Sequence, residues 1–208
     1  MELILTRHGN TFEPSEKAYF VGAKEDLPLA STASLQARAI ANTLYQQNKI
    51  PTHIYSGNLK RLADFSNLIS HAFSASLLVQ IDPRLNEIDY GAWGGLTKDE
   101  IKAQFGQFVF MNWDRRSVWP KHCHWGESEE GVKTRIRTFV DDLIQSHRQD
   151  DRVLVVTSNG CLRYFLHLIP DEWEMRIRDS SFKVGTGCFC FLRYHKNQWQ
   201  LKSWNIKP

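Results

Sequence analysis

The chain has 208 residues, of which 42% are hydrophobic and 12% aromatic, and this composition excludes an intrinsically disordered protein. Its 26 basic and 23 acidic residues give a formal net charge of +3. That excess is too small for a dedicated nucleic-acid-binding protein and fits small anionic partners better. Because no apolar run approaches the roughly 18 residues that a membrane span needs, we expect a cytoplasmic protein that binds neither nucleic acid nor membrane.

No internal repeat, low-complexity tract or linker divides the sequence, so we expect a single domain over residues 1–208. The four cysteines are too few for a disulfide scaffold in a chain of this length. They also lack the C-x-x-C spacing of zinc sites, and we therefore predict reduced thiols.

Strands and helices are predicted to alternate over the first half of the chain. Residues 2–6 form a short β-rich apolar run that ends in Arg7-His8-Gly9-Asn10, which places His8 at the carboxyl end of a strand. The periodicity of apolar residues then predicts helices over residues 34–49 and 59–73, and strands over residues 53–56 and 77–81.

An aromatic segment follows. Thr97 and Glu100 have the spacing of a capping box and predict the start of a short helix. Residues 106–126 have no clear periodicity and contain three tryptophans. We therefore expect residues 98–126 to form a lid or side layer over the core.

The last third of the chain predicts a long helix around residues 132–143, a buried strand over residues 153–156 and a helix over residues 161–168. A terminal hairpin is predicted from residues 188–194 and 199–204. This order of elements predicts an α/β fold, a sandwich with a mainly parallel sheet and an antiparallel edge.

Ligands of such sheets bind outside the carboxyl ends of the strands. Three segments should meet there, namely residues 7–10, 56–61 and 157–163, because each begins where a strand stops. Two arginines and a histidine at this edge would offer fork-shaped donors and an imidazole to a tetrahedral anion such as phosphate.

Five segments, in order, resemble the motifs of the histidine phosphatase superfamily, also called phosphoglycerate mutase-like. They are L-T-R-H-G-N-T at residues 5–11, S-G-N-L-K-R at 56–61, L-N-E-I-D-Y-G-A-W-G-G-L-T at 85–97, G-E-S at 126–128 with Arg135, and residues 153–163. The resemblance covers nearly the whole chain. It implies the three-layer α/β/α sandwich of that family.

The same resemblance implies roles for individual residues. His8 would be the nucleophile that accepts the phosphoryl group, Arg7 and Arg61 would clamp its oxygens, and Glu87 would donate a proton and then act as base. Asn10 and Thr11 would contact phosphate or substrate. No metal ion and no cofactor are implied.

Phosphoryl transfer through a histidine requires residues of these types. An imidazole attacks only through an unprotonated nitrogen, and two neighbouring cations should favour neutral His8 while a backbone acceptor fixes its tautomer. Phosphoryl transfer depends mainly on positioning and on electrostatic stabilisation of the oxygens, which paired arginines provide. Glu87 must be protonated when the alkoxide leaves and ionised when water attacks.

The sequence departs from the family pattern after the buried strand, where a second histidine is expected. Counting back from Arg163 places Ser158 at that position, with Asn159 as the neighbour one residue on. Either residue could still donate a hydrogen bond to phosphate. Lys183 is our candidate for the missing positive charge, because its turn also leads toward the sheet.

These observations predict a histidine acid phosphatase-type enzyme that hydrolyses a small phosphorylated metabolite through a phosphohistidine on His8. One alternative is a phosphoglycerate mutase-type isomerase, although family mutases usually carry longer insertions. The other alternative is a weakly catalytic protein that binds a phosphorylated ligand or inorganic phosphate, because Ser158 replaces the histidine. The sequence does not identify the substrate, and it leaves open whether the chain forms a homo-oligomer.

Overall fold

The computed structural model describes residues 1–73 and 76–208. Its strands are β1 (Glu2–Arg7), β2 (His53–Ser56), β3 (Val79–Ile81), β4 (Arg152–Thr157), β5 (Phe189–His195) and β6 (Gln198–Ile206). Its α-helices are α1 (Ala33–Gln46), α2 (Lys60–His71), α3 (Lys98–Phe105), α4 (Gln107–Arg116), α5 (Glu129–Ser146), α6 (Asn159–Leu162) and α7 (Glu172–Arg178). None of these helices combines the length and the apolar character needed to span a membrane.

The strands form one sheet in the order β3-β2-β4-β1-β5-β6. The pairs β1–β4, β2–β4 and β2–β3 are parallel, whereas β5 runs antiparallel to both β1 and β6. The predicted α/β fold with a mainly parallel sheet and an antiparallel hairpin at its edge is confirmed.

Both faces of the central strands are buried, because successive side chains of a strand point to opposite sides. In β1, Leu3 and Leu5 belong to one hydrophobic core and Ile4 to the other. Helices α1 and α2 supply the core around Ile4, while α5 and the aromatic residues of the lid segment cover the opposite face. The chain is therefore a three-layer sandwich around the sheet.

Two differences from the sequence-based expectations concern helices. The prediction that residues 106–126 are irregular is wrong for Gln107–Arg116, which form α4. Phe110 and Trp113, three residues apart, bury one face of this helix, but the polar and charged residues between them weaken the periodic signal. Helix α7 was not predicted, because none of its residues is buried and its sequence has no apolar stripe.

The register of the sheet positions the site. Arg7 pairs with Thr157, and Ser56 pairs with Val156, so β1, β2 and β4 end almost level. The backbone N–H of His8 donates to the carbonyl of Thr157 over 3.1 Å. The segments that follow these three strands therefore meet at one edge, as the sequence predicts.

The capping box at α3 gives a test of local stability. Thr97 accepts a hydrogen bond from the N–H of Glu100, and the Glu100 carboxylate accepts from the N–H of Thr97. We expect Thr97→Ala to lower the free energy of unfolding by about 1 kcal/mol, or roughly 2–4 °C in Tm, measured by thermal and urea denaturation.

Thr138→Ala is the matched control, since Thr138 is exposed within α5 and its hydroxyl donates to a carbonyl of the same helix. Its effect should stay within about 0.5 kcal/mol. Equal losses in the two variants would contradict the role of the capping box.

Candidate active site

A cavity of about 350 Å³ opens at the carboxyl ends of β1 and β4. Its size is typical of a small-molecule site. Most of the residues predicted from the sequence line it, namely Arg7, His8, Asn10, Thr11, Glu87, Asn159 and Lys183. Arg61 and Ser158 are buried next to this group without lining the cavity.

The imidazole of His8 is held in one orientation. Its Nδ1 lies 2.7 Å from the carbonyl oxygen of Gly9. Because a carbonyl oxygen only accepts hydrogen bonds, Nδ1 carries the proton, and Nε2 keeps its lone pair. Burial and then the positive charges of Arg7 and Arg61 hold the pKa of His8 well below its ordinary value. The carbonyl of Gly9 is thus the backbone acceptor that the sequence-based expectation requires.

Two guanidinium groups flank this imidazole. Arg7 donates from Nη1 to the carbonyl of Val184 over 2.9 Å. Arg61 is fully buried and donates from Nη1 and Nη2 to the carbonyls of Glu25 and Gly22. The Nε atoms of Arg7 and Arg61 are buried and have no hydrogen-bond partner in the described part of the chain. Each arginine is therefore oriented by backbone oxygens and retains an unused donor.

The carboxylate of Glu87 is fixed by backbone N–H groups at the start of α6. Its Oε1 accepts from Ile88 and Cys161, and its Oε2 accepts from Gly160. A Cβ at position 160 would overlap both this carboxylate and the hydroxyl of Tyr90. The absence of a side chain at Gly160 thus allows the helix start to approach the acid.

The loop after β1 is tied to the loop before β5. Asn10 accepts a hydrogen bond from the hydroxyl of Thr186 and donates to Thr32 over 3.1 Å. Its backbone N–H donates to Gln36. The predicted substrate contacts Asn10 and Thr11 therefore lie at the cavity wall, with the side chain of Asn10 already engaged.

The position of the missing histidine is occupied by a buried hydroxyl. The Oγ of Ser158 has no hydrogen-bond partner within residues 1–73 and 76–208. Asn159 lines the cavity, and its amide oxygen accepts the N–H of Val184 over 2.9 Å. Lys183 also lines the cavity, but its Nζ lies 2.6 Å from a carboxylate oxygen of Asp114. The positive charge of Lys183 is therefore already paired.

Sequence reasoning missed several residues of the cavity wall, including Tyr90, Trp113 and Arg163. Tyr90 lies in the motif segment 85–97 and Arg163 in the segment 153–163, and these positions could have indicated that both residues are near the site. Burial, together with the nearby Glu87, raises the pKa of Tyr90 well above its ordinary value, so the phenol stays protonated. The lid predicted at residues 98–126 contributes Lys98, Trp113 and Asp114 to the wall.

Comparison with known proteins identifies the family. The sequence profile of the histidine phosphatase superfamily, branch 1, matches residues 3–207. This chain belongs to that superfamily. The histidine phosphatase membership predicted from the ordered motifs is confirmed.

Phosphatases are among the individual proteins that are similar to this chain. Glucosyl-3-phosphoglycerate phosphatase of Mycobacterium tuberculosis is 30% identical over 170 residues, which span 77% of this chain and 70% of the relative. A solved structure of the mycobacterial enzyme superposes with a TM-score of 0.81 at 25% identity, covering 100% of this chain and 99% of that one. The same enzyme has been solved with inorganic phosphate, with a TM-score of 0.78 at 25% identity, covering 99% of this chain and 97% of that one.

Mutases are also similar to this chain. The 2,3-bisphosphoglycerate-dependent phosphoglycerate mutase of Bifidobacterium longum is 32% identical over 120 residues, which span 57% of this chain and 48% of the mutase. The similarity to the phosphatase extends over more of both proteins. Phosphatase is therefore the enzyme class to which the histidine phosphatase family and these relatives assign the chain.

The protonation state of His8 can be measured directly. We expect its imidazole to stay neutral as the pH falls through 6.5, because burial and two cations oppose the charged form. The unfolded chain takes up that proton first, so this group lowers the free energy of unfolding as the pH drops below about 6.5.

The measurement is a nitrogen-15 NMR titration, with His8→Gln to assign the resonance. Arg7→Met removes one cation and should raise the pKa of His8 toward its ordinary value. A His8 midpoint at or above 6.5 in the unsubstituted protein would contradict this electrostatic account.

Proposed function

We propose that the protein hydrolyses a small phosphorylated metabolite through a phosphohistidine on His8. The observation that carries the proposal is the imidazole of His8, which is neutral, presents Nε2 and lies in a cavity beside the guanidinium group of Arg7. A phosphoryl group there would meet a nucleophile and a cation together.

In the first step, Nε2 of His8 attacks the phosphorus atom and the bond to the leaving oxygen breaks. Arg7, which lines the cavity, is proposed to bind the phosphoryl oxygens, and its unpartnered Nε supports this role. Arg61 does not line the cavity and is proposed to add positive charge from behind its wall. The charge on the equatorial oxygens in the transition state is thereby stabilised by donors that are already in place.

Glu87 is proposed to protonate the leaving oxygen and then to take a proton from the water that cleaves the phosphohistidine. Its Oε2 accepts one backbone hydrogen bond, whereas Oε1 accepts two. Oε2 thus keeps a lone pair for the transferred proton. The release of inorganic phosphate returns His8 to its neutral state.

Ser158 is proposed to contribute a hydrogen bond where the family has a second imidazole. Its buried and unpartnered hydroxyl supports this, because a buried polar atom without a partner is unfavourable in the free protein. Asn159, whose amide oxygen already accepts a backbone hydrogen bond, has its amide N–H₂ left for a phosphate oxygen. Asn10 and Thr11 would contact the phosphate or the leaving group from the other wall.

The names of the phosphatase relatives support a phosphorylated small metabolite as substrate. The size of the cavity agrees with a small substrate. Inorganic phosphate is the product of this reaction, and the mycobacterial relative has been solved in complex with inorganic phosphate. A sugar or organic acid would then extend toward the aromatic wall that Tyr90 and Trp113 form.

Trapping the covalent intermediate tests the proposal. The protein is incubated with a panel of phosphomonoesters, quenched and examined by mass spectrometry for an acid-labile phosphate. We expect labelling of the unsubstituted protein, no labelling of His8→Ala, and normal labelling of His71→Ala, a control at an exposed position on α2. Labelling that persists in His8→Ala would refute His8 as the nucleophile.

Ser158→Ala separates a role in binding from a role in folding. The substitution removes a hydroxyl that has no hydrogen-bond partner among the residues that the structure describes, so Tm should be unchanged or slightly higher. Affinity for vanadate or phosphate should fall by roughly 10- to 100-fold, since hydrogen bonds to charged groups contribute roughly 1.5–3 kcal/mol. Calorimetry measures this, with exposed Ser146→Ala as control. Unchanged phosphate affinity in Ser158→Ala would exclude the hydroxyl from the site.

Two other activities have their own readouts. Interconversion of 2- and 3-phosphoglycerate without net phosphate release would favour the mutase, which the similarity to the Bifidobacterium enzyme supports. Phosphate-dependent stabilisation without turnover of any phosphomonoester would favour a binding protein.

A further inference from the structure

Arg163 is a buried cation that the proposed reaction does not use. It is 3% exposed and lines the cavity. Its guanidinium carbon lies 4.4 Å from the ring centroid of Trp113 and 4.8 Å from that of Phe182. The two aromatic rings fix the plane of the guanidinium group, so the arginine is rigid before any ligand binds.

Two of the three guanidinium nitrogens of Arg163 donate hydrogen bonds within the described part of the chain. Nε donates to the carbonyl of Asn159 over 3.3 Å, and Nη1 donates to the hydroxyl of Ser117 over 3.1 Å. Nη2 has no hydrogen-bond partner among the residues that the structure describes. All the partners of the guanidinium group are neutral, and no carboxylate lies within 4.0 Å of it in the described part of the chain.

A buried charge normally needs a charged partner, because removing an ion from water is unfavourable. Two carboxylates line the cavity, Asp114 and Glu87. Asp114 is paired with Lys183 over 2.6 Å, and Glu87 accepts three backbone hydrogen bonds. The positive charge of Arg163 is therefore left for an anion that enters the cavity.

Arg163 reaches the cavity from the side of the lid segment. Arg163 is near enough to Arg7 and Tyr90 to shift their pKa values, but it is not among the cations that lower the pKa of His8. Arg163 also contacts Trp113 of α4 and Ser117 just after it, in the lid segment. A phosphoryl dianion already has two guanidinium groups beside His8, so a third on the lid side implies a second negative group.

We propose that Arg163 binds a second oxyanion on the leaving group of the substrate, a carboxylate or a second phosphate. This inference rests on the proposed function and narrows its substrate class to phosphorylated acids and bisphosphates. The second anion would sit against the planar fork of Arg163, and Tyr90 would supply a neutral donor between the two anionic groups.

Matched substrates test the proposal. 3-Phosphoglycerate and glycerol 3-phosphate differ in the carboxylate, and fructose 1,6-bisphosphate and fructose 6-phosphate differ in the second phosphate. In Arg163→Met we expect KM to rise at least tenfold for the member of a pair that carries the second anion. KM for the other member should change by less than threefold, and kcat should stay within about threefold for both. The pair that responds distinguishes a carboxylate from a phosphate.

Arg176→Met is the control, because Arg176 also lies over a tryptophan ring, that of Trp204, and does not line the cavity. It should leave every KM unchanged. Equal losses for both members of each pair, or no loss in Arg163→Met, would overturn the second-anion site. If Arg163→Met does not fold, Arg163→Gln is used instead, because glutamine keeps a polar amide without the positive charge. The same changes in KM are expected for it.

Calorimetric binding keeps this proposal separate from the proposed function. If the unsubstituted protein turns over no phosphomonoester, the hydrolytic function fails, yet 3-phosphoglycerate should still bind at least tenfold tighter than glycerol 3-phosphate. Arg163→Met should abolish that preference. Equal affinity of the unsubstituted protein for both members of each pair would refute the site whether or not the protein is an enzyme.

Discussion

The hydrogen bond from Nδ1 of His8 to the carbonyl of Gly9 is the contact on which the proposed chemistry depends. It fixes the tautomer, and the surrounding burial and positive charge keep the other nitrogen unprotonated. This hydrogen bond joins neighbouring residues, but the position of His8 in the site depends on a contact with a distant strand. His8 is held at the end of β1 because its N–H bonds to Thr157 of the neighbouring parallel strand.

Around this imidazole the protein uses its backbone, rather than acidic side chains, to hold ionisable groups. Arg7 and Arg61 donate to carbonyls of loops, and Glu87 accepts from N–H groups at the start of α6. Such partners are neutral, so these side chains are held without direct ion pairs to one another, although the charge of Glu87 acts on both arginines. An anion entering the cavity then meets a field that needs little reorganisation.

Much of this arrangement follows from the sequence. The level ends of β1, β2 and β4 could be predicted, because parallel buried strands have continuous apolar runs and their loops begin where these runs stop. His8 and Glu87 could be assigned because they lie in ordered motifs. These are local signals, and the chain carries them whatever its tertiary contacts.

The remainder depends on contacts between distant residues. That Arg61 lies behind the cavity wall follows from its bonds to the carbonyls of Gly22 and Glu25, in a loop without periodicity. The pairing of Lys183 with Asp114 joins residues 69 positions apart, and the aromatic stacking of Arg163 requires α4, which the sequence did not predict. Propensity and motif spacing contain no information on such pairings.

The loop before β5 holds the residues at the end of β1 in place. Val184 accepts from Arg7, and the N–H of Gly187 bonds to the carbonyls of Arg7 and His8. The orientation of Arg7 therefore depends on a loop that follows it in the sequence by more than 170 residues, and Arg7 is oriented only once that loop has docked. Assembly of the site thus requires a long-range contact between β1 and the segment before β5, and such contacts form late in folding because they close a long loop.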